Sequence, residues 1–505
     1  MHTSYDEIPY PGTSFSQTHP DRLAVMATLF GMAPAPIDHC RVLEIGCGDG
    51  GNLIPMAFGL PKSSFTGVDL AETAVARGQE LIGRLGVDNI RLRAMDLMDI
   101  NSGFQEFDYI IVHGVYSWVP PQVAEKILDI CKSHLTAQGV AFISYNTYPG
   151  GHVLDTIREM MLFHTRNTRD PRERLRQARE LIEFLAQAFP DEDIHGALMR
   201  QEMKLLLERR PEFFYHDEMS EHNHRFYFHE FVEQTRRHGL QFLSEARLLS
   251  MQTDTFGQEV TEKIRGWSGG DELAREQYLD FIKLRNFRQT LLCHSEIRID
   301  RTLRCQPVRH MFAASDARPA STEPDFRSAA ALQFTYPSGG SMSTNHPLAK
   351  AAMSHLGQVW PQALPFSELL RSARALSQRD TSGSNVTLEE DANWLSEMAV
   401  RLYAANFLEL HSQAPGFVIK VSEKPVASAL ARAQVEHASS VTNLRHGSIE
   451  VEDEVARQLL LLLDGTRTRE QLLAELRQRP NAGEVTPEKL EANLDRLGKL
   501  ALLVG

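Results

Sequence analysis

The 505-residue chain is 42% hydrophobic, enough to bury several cores, and its length fits about three domains of ordinary size. Its 66 acidic against 53 basic residues give a formal charge of −13, which excludes a sequence-independent grip on a phosphate backbone, so no nucleic acid partner is expected. Five cysteines, Cys40, Cys47, Cys131, Cys293 and Cys305, occur without a C-x-x-C pair, which excludes a zinc ribbon or a disulfide framework and fits a reducing cytoplasm.

Thr3 to Gly31 is dense in aromatic and polar side chains, including Tyr5, Tyr10, Phe15, His19 and Arg22, and Asp21 to Phe30 has helical spacing. It reads equally as a cap over a site or as a segment that simply packs on a sheet. Arg41 to Ile45 is a short branched apolar run, hence a buried strand, and Gly46, Gly48, Gly50 and Gly51 then let the backbone turn tightly. A helix is expected from Asn52, with Pro55 tolerated in its first turn. Phe65 to Val68 is the next strand and delivers Asp69, a carboxylate able to accept both hydroxyl hydrogen bonds of a ribose. A dinucleotide fingerprint competes for this pattern, but G-C-G-D-G-G is not G-x-G-x-x-G, because Gly51 stands one place early.

Ile90 to Ala94 alternates like a strand and leads into Met95-Asp96-Leu97; Phe107 to Val112 is a fourth strand, followed by His113-Gly114-Val115-Tyr116-Ser117-Trp118-Val119-Pro120. A helix at Gln122 to Leu135, a turn at Thr136 to Gly139 and a strand at Val140 to Tyr145 come next. This alternation predicts an α/β, Rossmann-like parallel sheet whose ligands sit beyond the carboxyl ends of the strands.

After the fifth strand, Arg158 to Phe189 and Met199 to Arg209 read as long amphipathic helices with arginines on a solvated face. Phe213 to Leu240 carries His216, His222, His224 and His229 at spacings that fit no common zinc pattern, so no metal is expected. Met311 to Ser343, rich in small residues and broken by Pro319, Pro324 and Pro337, reads as a connection. Helices at His346 to Val359, Phe366 to Leu376 and Glu389 to Asn406, then strands at Phe407 to His411 and Phe417 to Val421, suggest a winged-helix arrangement. The last of those helices starts Glu389-Glu390-Asp391, which suits protein contact better than DNA phosphate. Three terminal helices are expected at Glu452 to Leu463, Thr468 to Arg477 and Pro487 to Leu500. The polar N-terminus lacks a signal-peptide pattern and the leucine run Leu459 to Leu463 is too short to span a bilayer, so no membrane span is expected.

The loop Glu44-x-Gly46-x-Gly48 with Asp69 resembles the E-x-G-x-G loop of class I S-adenosylmethionine methyltransferases. The N-terminal Y-P-G-T-S-F-S-Q-T-H-P-D-R-L, the H-G-V-Y-S-W-V-P after strand four, Y-N-T-Y-P-G-G-H from Tyr145 to His152 and E-H-N-H-R-F-Y-F-H-E-F from Glu221 to Phe231 are similar to bacterial members carrying a methyltransferase regulatory domain, including the protein lysine methyltransferases that modify outer-membrane proteins. Gly151 departs from that pattern, which leads one to expect a larger residue such as tryptophan.

The resemblance implies a methyltransferase domain with an N-terminal cap over 1–165, a helical and regulatory domain over 166–310, a boundary over 311–345 and a winged-helix-like domain over 346–505. It implies S-adenosyl-L-methionine as cofactor, held by Glu44, Gly46, Gly48, Asn52, Asp69, Leu70, Met95, Asp96, Leu97 and His113. Methyl transfer is an in-line displacement in which the protein orients the nucleophile and excludes water. The acceptor is expected at the loops after strands four and five, with Tyr10, Tyr116, Asn146 and Tyr148 as the acceptor-pocket residues, because aromatic faces hold ammonium groups and amide or phenol oxygens accept their hydrogen bonds. Base amino-methylation is set aside because H-G-V-Y stands where D-P-P-Y or N-P-P-Y is needed, and cytosine C5 methylation because no cysteine falls in that loop. A protein lysine is the expected acceptor; a small-molecule acceptor, a cofactor-binding protein without turnover, and a homodimer stay open.

Overall fold

A computed structural model describes residues 12–190, 193–253, 256–337, 339–379, 386–479 and 485–504. Its centre is an eight-stranded sheet in the order β3-β2-β1-β4-β5-β8-β7, with the short β6 pairing beside β5. Strands β1 (Arg41–Ile45), β2 (Ser64–Asp69), β3 (Ile90–Ala94), β4 (Phe107–Val112) and β5 (Leu135–Thr147) are mutually parallel. All of β4 is buried, as a central strand covered on both faces requires, whereas edge strand β3 alternates. Strand β5 starts earlier than expected: the turn anticipated at Thr136 to Gly139 is absorbed into the strand, with Leu135 opposite Phe107 and Val140 opposite Tyr109 across a register shift.

Between β5 and the rest of the sheet the chain makes a helical excursion. The single long helix expected from Arg158 is two, Gly151–Thr165 and Pro171–Ala188, because Asp170-Pro171 starts a new helix: Asp170 Oδ1 caps it by accepting the Glu173 N–H at 2.8 Å. Together with helices Ile194–Leu207 and Pro211–Glu218 they enclose their own core of Ile157, Met161, Ala178, Ile182, Met203, Leu206 and Phe214.

The segment expected to be helical over 166–310 then supplies strands to the main sheet. Strand β6 (Arg225–Phe226) pairs parallel with β5, helix Phe228–Arg237 crosses over, and β7 (Leu240–Glu245) and β8 (Phe287–His294) complete the sheet, β8 antiparallel to both β5 and β7. A charge cluster is sealed beneath these last strands. Arg288 on β8 is 1% exposed, yet it donates to Glu245 Oε1 at 2.6 Å, to Glu276 Oε2 at 3.1 Å and to Asp280 Oδ1 at 2.8 Å, and it lies over the Phe228 ring at 3.9 Å.

The stretch read as a connection is also structured. Strands β9 (Phe312–Ala314), β10 (Arg318–Pro319), β11 (Leu332–Thr335) and β12 (Ser341–Thr344) form there, β10 to β12 as a small antiparallel sheet. The predicted helices form at Pro347–Val359, Phe366–Leu376 and Leu388–Ala404, but the expected hairpin does not. Strand β13 (Leu364–Pro365) and strand β14 (Glu409–His411) both pair with β9, and 417–421 is not a strand. The hairpin lies further on, as β15 (Ser440–Thr442) and β16 (Ser448–Glu450), among helices Ala429–Val435, Glu454–Leu462, Arg469–Arg477 and Pro487–Lys499.

Helix Pro20–Leu29 ties these bodies together. Leu23, Met26 and Ala27 face the main sheet core, while Val25 and Leu29 belong to the core of the β9 unit, so the helix buries apolar side chains on two sides. Among the described residues no helix is long and apolar enough to cross a membrane.

Candidate functional site

The glycine loop leaves β1 with φ of +74° at Gly46 and +54° at Gly48, conformations costly for other residues. A Cβ at Gly46 would stand 2.3 Å from Val115 Cγ2, so the loop needs hydrogen there for packing. At Gly48 a Cβ would meet nothing within 4 Å: this glycine borders open space at the strand ends.

Glu44, near the end of β1, is 4% exposed. Its Oε1 accepts from Asn52 Nδ2 at 2.7 Å, and its Oε2 is buried without a hydrogen-bond partner among the described residues. Burial pushes its carboxyl up to about 8. The folded protein therefore holds a proton that the unfolded chain releases in the ordinary carboxylate range, so the stability this group contributes is present below about pH 4.5 and is lost as pH rises through about 8. The fall in melting temperature between pH 5 and pH 8 is expected to be smaller by a few degrees in Glu44→Gln than in the parent, read by differential scanning fluorimetry without ligand.

Asp69 ends β2 facing the same loop; its Oδ2 accepts the Gly48 N–H at 2.7 Å and its Oδ1 the Ala71 N–H at 2.8 Å. A carboxylate oxygen accepts two hydrogen bonds, so one that takes a backbone N–H can also take a ligand hydroxyl. Leu70 beside it is 45% exposed. Past β3, Met95, Asp96 and Leu97 are half-buried; Asp96 Oδ1 accepts the Met98 N–H at 2.9 Å, which holds the turn and leaves its other oxygen for a ligand.

Asn52 stands differently from the expectation. It is 5% exposed, with its amide engaged at both ends: Nδ2 also donates to Thr18 Oγ1 at 3.0 Å, and Oδ1 accepts the Phe15 N–H at 2.9 Å. It braces Glu44 rather than facing the site. Phe15, Thr18 and Ser144 are site residues that sequence reasoning did not single out, although Phe15 and Thr18 lie in its N-terminal motif. The backbone at Gly12 packs so closely on Gly51 that a Cβ at Gly51 would stand 2.6 Å from it, and the Phe15 ring meets His113 edge-on at 4.1 Å. The segment from Gly12 thus lies over the loop as well as packing on the sheet. His113, at the end of β4, contacts Ser144 Oγ through Nδ1 at 2.8 Å; burial lowers it to about 4, so the ring is uncharged at neutral pH.

At the acceptor side the expectations divide. Tyr10 lies outside the described residues. Tyr116 is corrected: it is 1% exposed, its hydroxyl donates to Gln234 at 2.9 Å, and its ring packs on Phe226 and Phe231, so it joins the sheet to helix Phe228–Arg237 as core. Asn146 and Tyr148 do emerge together at the end of β5. The Asn146 N–H donates to Ser117 Oγ at 2.8 Å and its Nδ2 to Asn223 Oδ1 at 3.1 Å, which leaves its amide oxygen unpaired among the described residues. Tyr148 donates to Asp155 Oδ2 at 2.8 Å, stacks on His152 at 4.1 Å and lies 5.4 Å from Tyr227. Burial first, then Asp155, pushes its phenol up to about 12, so it stays protonated.

Asp155 is held in turn by Arg225, whose Nε donates at 2.7 Å. Arg225 accounts for Gly151: a Cβ there would stand 2.4 Å from Arg225 Cδ, so the arginine occupies the space a larger residue would need. The four histidines do not converge. His216 is buried in its helix, His229 Nδ1 contacts Gln277, and His222 stacks on His224, whose Nε2 is buried without a partner among the described residues.

A parallel sheet in this order with one antiparallel strand, a glycine loop after β1 and a carboxylate ending β2 define a class I methyltransferase. The chain matches three family descriptions: a methyltransferase domain over 42–139, a predicted methyltransferase regulatory domain over 210–294, and the PKMT C-terminal winged helix domain over 423–501. It is 32% identical over 498 residues to uncharacterized protein RP789 of Rickettsia prowazekii, covering 96% of this chain and 87% of that one, and 39% identical over 235 residues to RP028 of the same organism, covering 46% and 94%. The structure of PKMT2 from Rickettsia typhi in complex with AdoHcy superposes with a TM-score of 0.85 at 29% identity over 98% of this chain and 100% of that chain. The chain belongs to the S-adenosylmethionine-dependent methyltransferases that carry a methyltransferase regulatory domain and a PKMT-type C-terminal winged helix.

Proposed function

We propose that the protein binds S-adenosylmethionine at the loop joining Glu44 to Asp69 and transfers its methyl group to the side-chain amine of a lysine in a protein substrate. The observation that carries the acceptor class is the likeness to PKMT2, which extends through the whole chain and is not confined to the sheet that all such enzymes share.

The residues present suit the cofactor. The orphaned Glu44 Oε2 is a buried carboxyl oxygen that would accept from an ammonium group once the carboxyl gives up the proton that burial holds on it, the Asp69 carboxylate suits ribose hydroxyls, and Gly48 leaves space beside both. Leu70, Met95 and Leu97 supply apolar flanks for an adenine and Asp96 an acceptor for its amino group. S-adenosylmethionine supplies an electrophilic methyl on a sulfonium. The protein's part is to orient and desolvate. His113, neutral and covered by Phe15, excludes water at the end of β4. The Asn146 oxygen accepts a hydrogen bond from the acceptor amine, while the Tyr148, His152 and Tyr227 rings offer the faces on which an ammonium rests. A lysine near its reference pKa of about 10.4 is protonated at neutral pH, and desolvation between those rings favours the neutral, nucleophilic form. The five cysteines are all free, which suits work in a reducing cytoplasm.

The test is incubation of the full chain with radiolabelled S-adenosylmethionine and a bacterial lysate, followed by hydrolysis of labelled bands. Methyl-lysine in protein bands is expected, with Asn146→Ala lowering the labelling rate by about tenfold and leaving cofactor affinity within twofold; this is about 1.4 kcal/mol, the size of one hydrogen bond. Label confined to the small-molecule fraction would replace the lysine acceptor with a small molecule.

A further inference from the structure

The hairpin turn of the C-terminal domain reaches into the cofactor loop. Between β15 and β16 the chain turns at 443–447, where Asn443 Oδ1 accepts the Arg445 N–H at 3.0 Å and the Gly447 N–H at 2.8 Å, and Asn443 Nδ2 donates to Leu500 O at 3.0 Å. At its tip His446 adopts φ of +58°, the left-handed region that β-carbon residues seldom enter, and glycine stands one position later. The strain aims the His446 ring at the glycine loop. There it is 6% exposed, and its Nε2 lies 3.0 Å from Asn52 Oδ1.

That contact is part of a chain leading to the site. The Asn52 oxygen receives the Phe15 N–H, and its Nδ2 donates to Thr18 Oγ1 and to Glu44 Oε1. A flip of the amide would set its nitrogen against the Phe15 N–H, a backbone donor that needs an acceptor there. With the amide so oriented, His446 bears its proton on Nε2 and donates. Burial, and then the neighbouring His19, hold its basicity well below the usual range, so the ring enters neutral.

We propose that His446 is a positioning residue for the cofactor site: from the C-terminal domain it secures the Asn52 amide in the orientation that keeps Glu44 aimed inward, so that cofactor affinity depends on the docked turn. This rests on the reading of Glu44 as a cofactor ligand. The adjacent Arg445 provides the comparison, because it docks the same turn elsewhere, donating to Glu409 at 2.6 Å and lying over the Trp360 ring at 4.1 Å.

The experiment is calorimetric titration of the full chain with S-adenosylhomocysteine. His446→Ala is expected to raise Kd about tenfold, His446→Gln to recover most of that loss because its amide offers a donor, and Arg445→Ala to stay within twofold of the parent. If the alanine variant fails to fold, His446→Phe, which keeps a ring but no donor, carries the same expectation. Glu44→Gln separates the two layers. If it weakens binding at least tenfold while His446→Ala, or its phenylalanine stand-in, does not, the positioning role is overturned and the cofactor site stands. If Glu44→Gln leaves Kd unchanged, the site reading falls and the proposal with it. Equal losses in Arg445→Ala and His446→Ala would also overturn the proposal, because general docking of the domain would then account for both.

Discussion

Asp69→Ala is expected to weaken S-adenosylhomocysteine binding by a factor of about 10² to 10³ while leaving the fold intact, measured by calorimetry on the full chain. The carboxylate is positioned to accept two ribose hydroxyls, and hydrogen bonds to a charged group contribute roughly 1.5–3 kcal/mol each. It also receives the Gly48 and Ala71 N–H groups, so alanine would release the loop whose backbone borders the site. Each 1.4 kcal/mol is tenfold, so the two effects together reach the stated range. Asp69→Asn, which keeps one acceptor oxygen, is expected to fall between. Unchanged affinity in the alanine variant would remove the ribose assignment.

The second large effect lies in the sheet, away from the cofactor. Arg288→Met is expected to destabilise the β7–β8 edge by about 3–5 kcal/mol, the usual result of removing one partner from a buried ion cluster. It would leave Glu245, Glu276 and Asp280 sealed together, with Arg285, 3.1 Å from Asp280, and Arg275, 3.5 Å from Glu276, as the nearby cations. Burial already pushes the Glu276 and Asp280 carboxyls up even with Arg288 in place, so without it they must take up protons or the edge must open. Hydrogen–deuterium exchange over 240–245 and 287–294 should quicken a hundredfold or more, and less at pH 5 than at pH 8, because protons can neutralise the stranded carboxyls at the lower pH. Unaltered protection in those strands would mean that Arg288 does not hold the edge.

The same two regions divide what is legible in the chain from what folding adds. Arg41–Ile45 and Phe107–Val112 were readable to the residue because a buried parallel strand is a largely apolar run bounded by turn residues, and Ile90–Ala94 because an edge strand alternates; both signals are local. Glu44, Gly48 and Asp69 were readable for the same reason: their places are set by the ends of such runs. Strands β7 and β8 were missed, since β8 pairs with β5 far earlier in the chain (Thr290 opposite Ile143, 147 residues before it) and contains an arginine that looks solvent-facing until three distant carboxylates surround it.

The side chains around the site show the same division. Tyr116 was legible as an aromatic residue in the right loop, but only the packing of helix Phe228–Arg237 turned it inward to Gln234. Gly151 stood out as a small residue where a large one was expected, and only the position of Arg225, 74 residues later, accounts for it. His446 carried no signal at all, because its partner Asn52 is 394 residues away. The chain by itself determined the sheet's first half and the polar groups at its strand ends, through short-range periodicity. Tertiary structure alone decided which of those groups border open space and which are braced, because burial and hydrogen-bond partners are set by contacts between segments that the linear order keeps apart.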